Sequence, residues 1–269
     1  MTGARLLSGM RRVRFRDTAG NVRGGRWTTV DGEEVVTAAA GPYGRIAFGD
    51  ESFDPDEVDV LTPCEPTKIV CIGRNYADHA AEHDAEVPDR PLLFLKPPNT
   101  LASHGSTVTL PAGKDRVDFE AELGVVIGEQ CRHVDADDAE DVIAGYTCLN
   151  DLSNRDDQNR ETNWVRGKAF DGAAPLGPVI ATPEHLPDDA TIESRVNGET
   201  KQSATIDRMV FSIPTLIEET TAYMTLEPGD VIATGTPEGV GPLDQGDTVE
   251  IEIEGVGTLR HSVTFPDRR

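Results

Sequence analysis

The sequence predicts a mostly β protein of the α+β class, with an irregular sheet or barrel-like core and few helices. Short alternating or β-branched runs recur along the chain, and turns rich in Gly, Pro and Asp separate them. One segment, "SIPTLIEETTAYMT", has convincing helical spacing. With 269 residues, 37% of them hydrophobic, the chain can bury one large domain with a small appendage.

The pattern of residues 1–62 predicts that this segment forms a small N-terminal β subdomain. The runs "RRVRFRD", "GRWTTV" and "RIAFG" alternate and are separated by Gly and Asp, as in a β-meander. The stretch "GDESFDPDEVDVLTPCEPTK" is typical of a linker. We place the boundary near Pro63, so that residues 63–269 form the main domain.

The main domain predicts strands interrupted by a few helices. Strands are expected at "KIVCIG", "PLLFLKPP", "TVTLP", "VDFEAELGVVIG", "GYTCLND", "GPVIAT", "TIESRVNG", "DVIATGTP" and "DTVEIEIEGVGTLRHSVTF". Helices are expected at "YADHAAEH", "DADDAEDVIAG" and the segment from residue 212 to residue 225. Pro214 lies near the start of that last helix, where its missing N–H does no harm.

The charge balance excludes some partners. There are 48 acids and 25 bases, a net charge of -23, which argues against binding to nucleic acid or to an anionic membrane. Acids crowd predicted loops, as on a solvated surface of the kind that suits concentrated salt. Only five bases are lysines, so the position of each lysine is informative.

The cysteines and the N-terminus predict a soluble cytoplasmic protein with reduced thiols. The four cysteines form no C-x-x-C pair and no zinc spacing. The opening "MTGARLLSGMRRVRF" lacks the apolar block of a signal peptide, and no run is long enough to span a bilayer.

Three carboxylates predict a cation site. Glu120 and Glu122 are two residues apart in a predicted strand and leave the same face, and Asp151 directly follows another apolar strand. Oxygen ligands of this kind suit Mg²⁺, Mn²⁺ or Ca²⁺, and a cation would relieve the repulsion among them. The alternative is a wet strand face, because E-x-E alone is a weak motif.

A second candidate is the pair formed by His79 and Glu82. If residues 77–86 form a helix, these side chains are i and i+3 neighbours, and the acid can orient the imidazole as a general base for water. The alternative is a chance pair on a surface helix.

Two glycine-rich loops are further candidates. Lys168 in "WVRGKAFDGAAPLGP" suits an anion or enolate partner, whereas Lys96 in "FLKPP" could equally be a strand-end charge. The turn "IATGTPEGVGP" could hold a carboxylate through backbone N–H groups. It is neither a Walker A loop nor a dinucleotide fingerprint, so nucleotide binding has no support.

Seven sequence blocks in order resemble the fumarylacetoacetate hydrolase family from about Ile69 to the C-terminus. They are "IGRNYADHAAE", "FLKPPNTL", "VDFEAELGVVIG", "GYTCLNDLSNRDDQ", "WVRGKAFDGAAPLGP", "VNGETKQSATIDRMVFSIPTLIEE" and "LEPGDVIATGTPEGVGPL". The resemblance implies a mixed β-sandwich roll, a homodimer, and one Mg²⁺ or Mn²⁺, with Ca²⁺ also suitable, held by Glu120, Glu122 and Asp151.

The resemblance also implies chemistry on small 2-oxo acids. The expected reactions are C–C hydrolysis of acylpyruvates or decarboxylation of oxaloacetate, with 2-hydroxyhepta-2,4-diene-1,7-dioate isomerisation or 2-oxo-3-deoxy sugar-acid dehydration as the alternative. His79 and Glu82 would activate water, in a segment that acts as a lid. Further matching residues are Lys168, as a catalytic residue that holds substrate oxygens, and Arg74, Tyr76, Gln158 and Thr236, as substrate-binding residues.

One departure from the family leaves the substrate open. Gly172, Ala173 and Ala174 follow the Phe-Asp of the lysine loop, where many relatives have a Thr and a bulkier residue, and smaller side chains could reshape the pocket. A third hypothesis, from another class, is a non-catalytic β scaffold whose acids bind a structural cation.

Overall fold

The structure, a computed structural model, describes residues 10–40, 47–82 and 86–266. In this part of the chain strands predominate. The first half contains β1 (Arg11–Arg16), β2 (Val22–Val30), β3 (Glu33–Ala40), β4 (Ala47–Phe53), β5 (Asp59–Val60), β6 (Ile69–Gly73), β7 (Leu92–Lys96), β8 (Leu101–Ala102), β9 (Thr107–Thr109), β10 (Val117–Phe119) and β11 (Ala121–Ile127). The second half contains β12 (Ile143–Asn150), β13 (Ser153–Asn154), β14 (Ala174–Ala181), β15 (Thr191–Val196), β16 (Glu199–Thr205), β17 (Val231–Ala233), β18 (Gly241–Pro242), β19 (Thr248–Ile253) and β20 (Gly257–Thr264).

Helices are few and short, as the sequence predicts. The α-helices of the described residues are α1 (Ala77–Glu82), α2 (Arg155–Gln158), α3 (Val165–Lys168) and α4 (Ile213–Tyr223). Helix α4 begins where expected, since the Ser212 hydroxyl accepts from the N–H of Thr215 and Pro214 lies in the first turn. Single 3-10 turns lie at Pro55–Glu57, Pro98–Thr100, Pro183–His185 and Ile206–Arg208.

The predicted helix at "DADDAEDVIAG" is a 3-10 helix, Ala136–Val142, followed directly by a strand that begins at Ile143. Aspartate is a poor helix former, and the β-branched residues at the end of the segment favour the strand. The difference shortens this element but leaves the order of the strands unchanged.

The strands build three sheets in the described part of the chain. The large sheet has the order β4-β3-β2-β1-β14-β12-β11-β17-β6-β7, with β5 on β1 and β8 on β14. A small sheet has the order β13-β10-β18, and a third has the order β16-β15-β19-β20-β9. The first four strands form the expected meander and continue the large sheet, because β1 pairs antiparallel with β14. The domain boundary near Pro63 remains a prediction.

Strand β11 lies near the middle of the large sheet and is buried along its whole length. Its odd-numbered residues, such as Leu123 and Val125, face the larger core cluster, whereas Val126 faces the smaller one. A strand covered on both faces is expected to show a nearly continuous hydrophobic run, as "GVVIG" does. Glu122 is therefore buried, and its side chain lies on the same face of the strand as Val126.

The helices of the described ranges include none long and apolar enough to cross a membrane.

Candidate metal centre and active site

Glu120 lies where the chain passes from one sheet to another. Strand β10 ends at Phe119 in the small sheet, whereas β11 begins at Ala121 in the large sheet. The backbone N–H of Glu120 donates to the side-chain Oδ1 of Asn150 at 2.9 Å instead of to a neighbouring strand. A side-chain amide thus satisfies a buried backbone donor where regular pairing is interrupted.

A second hydrogen bond anchors that amide. The Nδ2 of Asn150 lies 2.8 Å from the Nε2 of His261 in β20. Burial, with a smaller contribution from the charge of nearby His104, lowers the pKa of His261 to about 4. The ring is therefore neutral at neutral pH, and its Nε2 can accept from Asn150. This chain of contacts connects the third sheet to the backbone of Glu120.

Three carboxylates converge beside this break in the strand. Ala121 pairs with Asn150, and the N–H of Asp151 donates to the carbonyl of Glu120 at 2.9 Å. One carboxylate oxygen from each of Glu120, Glu122 and Asp151 can be chosen so that all three lie within 4.8 Å of one another. All three side chains are buried, with 4%, 2% and 0% of their residue surface exposed.

Two buried lysines face these acids. The Nζ of Lys168 lies 2.7 Å from Glu120 Oε2, 2.7 Å from Asp151 Oδ2 and 2.6 Å from Ser153 Oγ. The Nζ of Lys96 lies 2.7 Å from Asp151 Oδ1, and it donates to the carbonyls of Ala173 and Leu152 at 2.8 and 3.3 Å. Lys96 is therefore a buried partner of Asp151 and not a solvated charge at a strand end.

An arginine completes the group of cations. The guanidinium of Arg155 at the start of α2 contacts Glu120 at 2.5 Å and Asp118 at 2.9 Å. It also donates to the side-chain oxygen of Gln158 at 2.7 Å. We call Glu120, Glu122 and Asp151, together with Lys96, Lys168 and Arg155, the acidic wall.

The ionisation of the acidic wall is uneven. Burial by itself would raise the pKa of Glu120, but Lys168 and Arg155 hold that pKa well below its usual range. Burial raises the pKa of Glu122 well above its usual value, and Asp151 and Glu120 raise it further. Burial would lower the pKa of Lys168, but Asp151 and Glu120 outweigh it and raise that pKa, so the lysine stays charged.

The acidic wall fits a hard divalent cation. Its donors are three carboxylates, and carboxylate oxygen is the ligand that Mg²⁺, Mn²⁺ and Ca²⁺ prefer. The carboxylate of Glu122 accepts a hydrogen bond from the N–H of Gly235 at 3.0 Å. None of the ion pairs in the described ranges includes Glu122. A cation would offset the charges of Asp151 and Glu120, which add to the effect of burial in raising the pKa of Glu122.

Helix α1 contributes His79 to the lining of the same pocket, and we call this helix the helical wall. The Nδ1 of His79 lies 3.5 Å from Glu82 Oε2, in the expected i,i+3 relation. His79 is buried, whereas the Glu82 side chain is 36% exposed and accepts from the N–H of Gly239 at 3.2 Å. Within the described residues the helix covers Ala77–Glu82, and residue 86, its predicted end, is not helical because Val87 next to it precedes a proline. Residues 83–85 of the expected lid lie outside the described residues.

The pocket has a volume of about 360 Å³ and is lined by residues of both walls. Its lining includes His79, Lys168 and the three carboxylates. Of the predicted substrate-binding residues, the pocket is lined by Arg74, Gln158 and Thr236. Tyr76 does not line it. That ring is 2% exposed, and burial together with Glu122 raises the pKa of its hydroxyl.

Two pocket residues have an unusual backbone conformation. Arg74 has φ 58° and Trp164 has φ 56°, in the left-handed region that bulky residues rarely adopt. Trp164 packs edge-on against Phe94 at 5.4 Å between ring centroids, and the Nζ of Lys168 lies 5.1 Å from the Phe94 centroid. Strained residues often occur where the surrounding structure fixes a functional group.

Sequence reasoning missed several of these residues. Arg155 lies four positions after Asp151 in "NDLSNRDDQ", and a basic residue so close to a suspected ligand was an available signal. The buried role of Lys96 and the amide of Asn150 had no local signal. Their partners are supplied by other strands, so only the folded chain shows what they contact.

Comparisons with known proteins identify the family to which the chain is similar. Residues 68–264 match the family described as Fumarylacetoacetate (FAA) hydrolase C-terminal. Oxaloacetate tautomerase YisK from Bacillus subtilis (strain 168) is 41% identical over 230 residues, which cover 80% of this chain and 76% of that protein.

Solved structures confirm the predicted fold class. The crystal structure of 2-hydroxyhepta-2,4-diene-1,7-dioate isomerase from Mycobacterium marinum is similar with a TM-score of 0.86 and 37% identity, covering 96% of this chain and 100% of that chain. The crystal structure of fumarylpyruvate hydrolase from Pseudomonas aeruginosa, in complex with Mn²⁺ and pyruvate, has a TM-score of 0.71 and 30% identity, covering 81% of this chain and 93% of that chain.

Proposed function

The chain belongs to the fumarylacetoacetate hydrolase family, and from this membership we propose that it is a divalent-metal-dependent enzyme that acts on small 2-oxo acids. The reaction we favour is C–C hydrolysis of an acylpyruvate or decarboxylation of oxaloacetate. Membership in a family of enzymes also argues against a non-catalytic scaffold that only binds a structural cation.

The observation that supports this proposal is that two chemically different groups line one pocket. The acidic wall offers three convergent carboxylates, and the helical wall offers His79 held beside Glu82. A cation site alone would not require a histidine and carboxylate pair beside it. A general base alone would not require three buried acids. Together they suit a reaction that moves a proton and develops negative charge on a 2-oxo acid.

The proposed metal ligands are Glu120, Glu122 and Asp151, with Mg²⁺ or Mn²⁺ as the ion. The bound cation would supply Lewis-acid stabilisation for negative charge on the carboxylate and keto oxygens of the substrate. The crystal structure of fumarylpyruvate hydrolase from Pseudomonas aeruginosa, which is 30% identical to this chain, is of a complex with Mn²⁺ and pyruvate.

In the hydrolytic reaction, we assign His79 the role of general base. Its imidazole takes a proton from water, and Glu82 at 3.5 Å stabilises the imidazolium that forms. The water oxygen adds to the distal carbonyl carbon, and the C–C bond then breaks with its electron pair moving into the enolate of pyruvate. A proton returned to the enolate carbon completes the balance.

Residues around the pocket would bind and orient the substrate. Lys168 holds a positive charge among the acids, where it can stabilise an enolate oxygen. Gln158 is oriented by Arg155 and can donate through its amide nitrogen. Arg74 and Thr236 line the pocket and are assigned contacts with the rest of the substrate. The role of Tyr76 remains a prediction.

A second candidate is isomerisation, tautomerisation or dehydration at the same site. Two relatives are described as a tautomerase and an isomerase, and both of those reactions move a proton next to a keto group. His79 could serve such a reaction by exchanging a proton with carbon instead of water. The proposed metal site would be unchanged.

Parallel assays test these candidates. Acetylpyruvate, oxaloacetate, a 2-hydroxy-diene dioate and a 2-oxo-3-deoxy sugar acid would be offered to wild type and to Glu120→Gln, in the presence of Mg²⁺ or Mn²⁺ and after chelation. We expect turnover of at least one substrate that disappears on chelation and in the variant. Turnover that persists unchanged in metal-free buffer would refute metal dependence.

Assembly and location stay predictions. We propose a homodimer in the cytoplasm, and sedimentation of the purified protein would measure its oligomeric state. The acidic surface predicts that solubility is retained in concentrated salt.

A further inference from the structure

Gln202 in β16 has a buried side chain that reaches two parts of the pocket. The residue is 1% exposed. Its Oε1 accepts the backbone N–H of Ala121 at 3.0 Å, and its Nε2 donates to Thr236 Oγ1 and to the carbonyl of Pro237, each at 2.7 Å. The orientation of the amide follows from these partners, since the Ala121 N–H can only donate and the Pro237 carbonyl can only accept.

One end of this contact lies between two proposed metal ligands. Ala121 separates Glu120 from Glu122, and its N–H belongs to the peptide that follows Glu120. Asn150 already holds the N–H of Glu120 at this point. Gln202 therefore fixes the next peptide, so that two successive N–H groups at the break between β10 and β11 are each held by a side-chain amide.

The other end lies in the loop that connects β17 to β18. In this loop the N–H of Gly235 donates to Glu122 at 3.0 Å, and the N–H of Gly239 donates to Glu82 at 3.2 Å. The loop thus gives one backbone donor to each wall of the pocket. Gln202 holds Thr236 and Pro237, two of the three residues that lie between those donors.

Close packing restrains the loop against β16. Gly235 and Gly239 both have φ of +96°, a conformation that favours glycine. A Cβ added at Gly239 would lie 2.3 Å from the carbonyl oxygen of Lys201, the residue before Gln202. The loop can shift relative to β16 only if the contacts of Gln202 are also broken.

We propose that Gln202 is a positioning residue that couples the acidic wall to the helical wall. It fixes the position of the backbone that carries Glu120 and Glu122. Through the loop that contains Gly239, it also fixes the position of Glu82 beside His79. The effect on turnover rests on the proposed function. The effects on metal binding and on the loop do not.

The test uses Gln202→Met, which keeps the length of the side chain and removes every hydrogen bond of the amide. Mn²⁺ affinity is measured by electron paramagnetic resonance, and hydrogen exchange is measured for residues 234–241 and for α1 in the metal-free protein. We expect Mn²⁺ affinity to fall about 10- to 100-fold, as for other residues that orient metal ligands, and exchange to rise in both segments. The control is Ile251→Val, a buried change in the same sheet that removes a methyl group away from the pocket.

Saturating Mn²⁺ separates the two ends of the contact. At this concentration the metal site of Gln202→Met is occupied despite its weaker affinity. Any loss of kcat that remains is therefore assigned to the altered position of Glu82. Wild-type Mn²⁺ affinity and wild-type exchange in Gln202→Met would overturn the proposal, and so would changes equal to those of Ile251→Val. If both readouts change as expected but wild type turns over no 2-oxo acid, the proposed function fails and the positioning role stands.

A second variant keeps the proposal testable if Gln202→Met folds poorly. Gln202→Asn keeps the amide but is one methylene shorter, so it can serve one end of the contact and not both. We expect either the Mn²⁺ affinity or the exchange of residues 234–241 to differ from wild type. Wild-type values for both would also overturn the proposal.

Discussion

The acidic wall and the helical wall enclose the same pocket but are built in opposite ways. In the acidic wall, buried side chains from several strands and two short helices neutralise one another, and Lys96 and Asp151 have no exposed surface. The helical wall is a six-residue helix whose Glu82 and Asp78 side chains are 36% and 55% exposed. A helix of that length is not stable by itself and depends on its contacts with the rest of the protein.

This difference teaches how stability and catalysis are divided in the protein. Removal of one charge from the acidic wall leaves an opposite charge buried without compensation, so the folded state should suffer. Removal of a side chain from the helical wall leaves solvent-accessible partners, so mainly the reaction should suffer. Measuring unfolding and turnover on the same variants separates the two walls.

The largest effect is expected for Lys96→Met. Asp151 would keep its burial and lose one of its two lysine partners, and breaking a buried pair in this way typically costs about 3–5 kcal/mol. Urea unfolding of the metal-free protein measures the loss, and added Mn²⁺ should recover part of it. Lys201→Met is the matched control, since Lys201 pairs with Glu199 at the surface. Equal stability of the two variants would contradict the proposed role of the buried pair.

His79→Ala should have its main effect on the reaction. Loss of a positioned general base typically lowers the rate by about 10²–10⁴-fold. His79 is buried but its partner Glu82 is partly exposed, so we expect the free energy of unfolding to fall by less than in Lys96→Met. Steady-state kinetics and urea unfolding measure the two quantities, with the neighbouring exposed Asp78→Asn as the control. A large loss of stability with an unchanged rate would reverse our distinction between the walls.

The free energy of unfolding should depend on pH because of His261, which supports the acidic wall through Asn150. Its folded pKa of about 4 lies below the usual value of about 6.5, so between these pH values the unfolded chain binds a proton that the folded protein does not. Stability is therefore full above pH of about 6.5 and falls as the pH drops toward about 4, by on the order of 3 kcal/mol.

The variant His261→Gln removes this titration and keeps an acceptor for Asn150. We expect the difference in unfolding free energy between wild type and the variant to shrink as the pH is lowered through that window. Denaturant unfolding at several pH values checks it. A difference that stays constant with pH would show that His261 does not titrate as proposed.

The smallest effect is expected for Arg208→Ser at the helical wall. Arg208 pairs with Asp78 of α1, and both side chains are at least 50% exposed. Exposed pairs of this kind contribute about 1 kcal/mol or less, and salt screens them. Unfolding measured at low salt and at about 1 M salt should show a small difference that vanishes at the higher concentration. A persistent loss of several kcal/mol would place this pair in the same class as the buried one.

Local pattern in the sequence predicted much of the fold and part of the site. The pattern of "VDFEAELGVVIG" predicted one strand with two acids on one face, whereas the structure divides this segment at Glu120 into β10 and β11 and keeps only Glu122 within a strand. The helical spacing from residue 212 and the position of Pro214 predicted the start of α4. Seven blocks in order predicted the family, which the family match confirms. Each of these signals depends on residues that are close together in the sequence, so it can be recognised without knowledge of the tertiary structure.

The partners of the buried charges were decided only by the tertiary structure. Lys96 and Asp151 are 55 positions apart in the sequence, and Gln202 and Ala121 are 81 apart, so no local period connects them. The helix expected over residues 77–86 does not include residue 86, and its Glu82 is held by a loop more than 150 residues away. Residue types and their spacing specify which strands and helices form, but the pairing of buried charges depends on which strands become neighbours, and chain topology sets that arrangement.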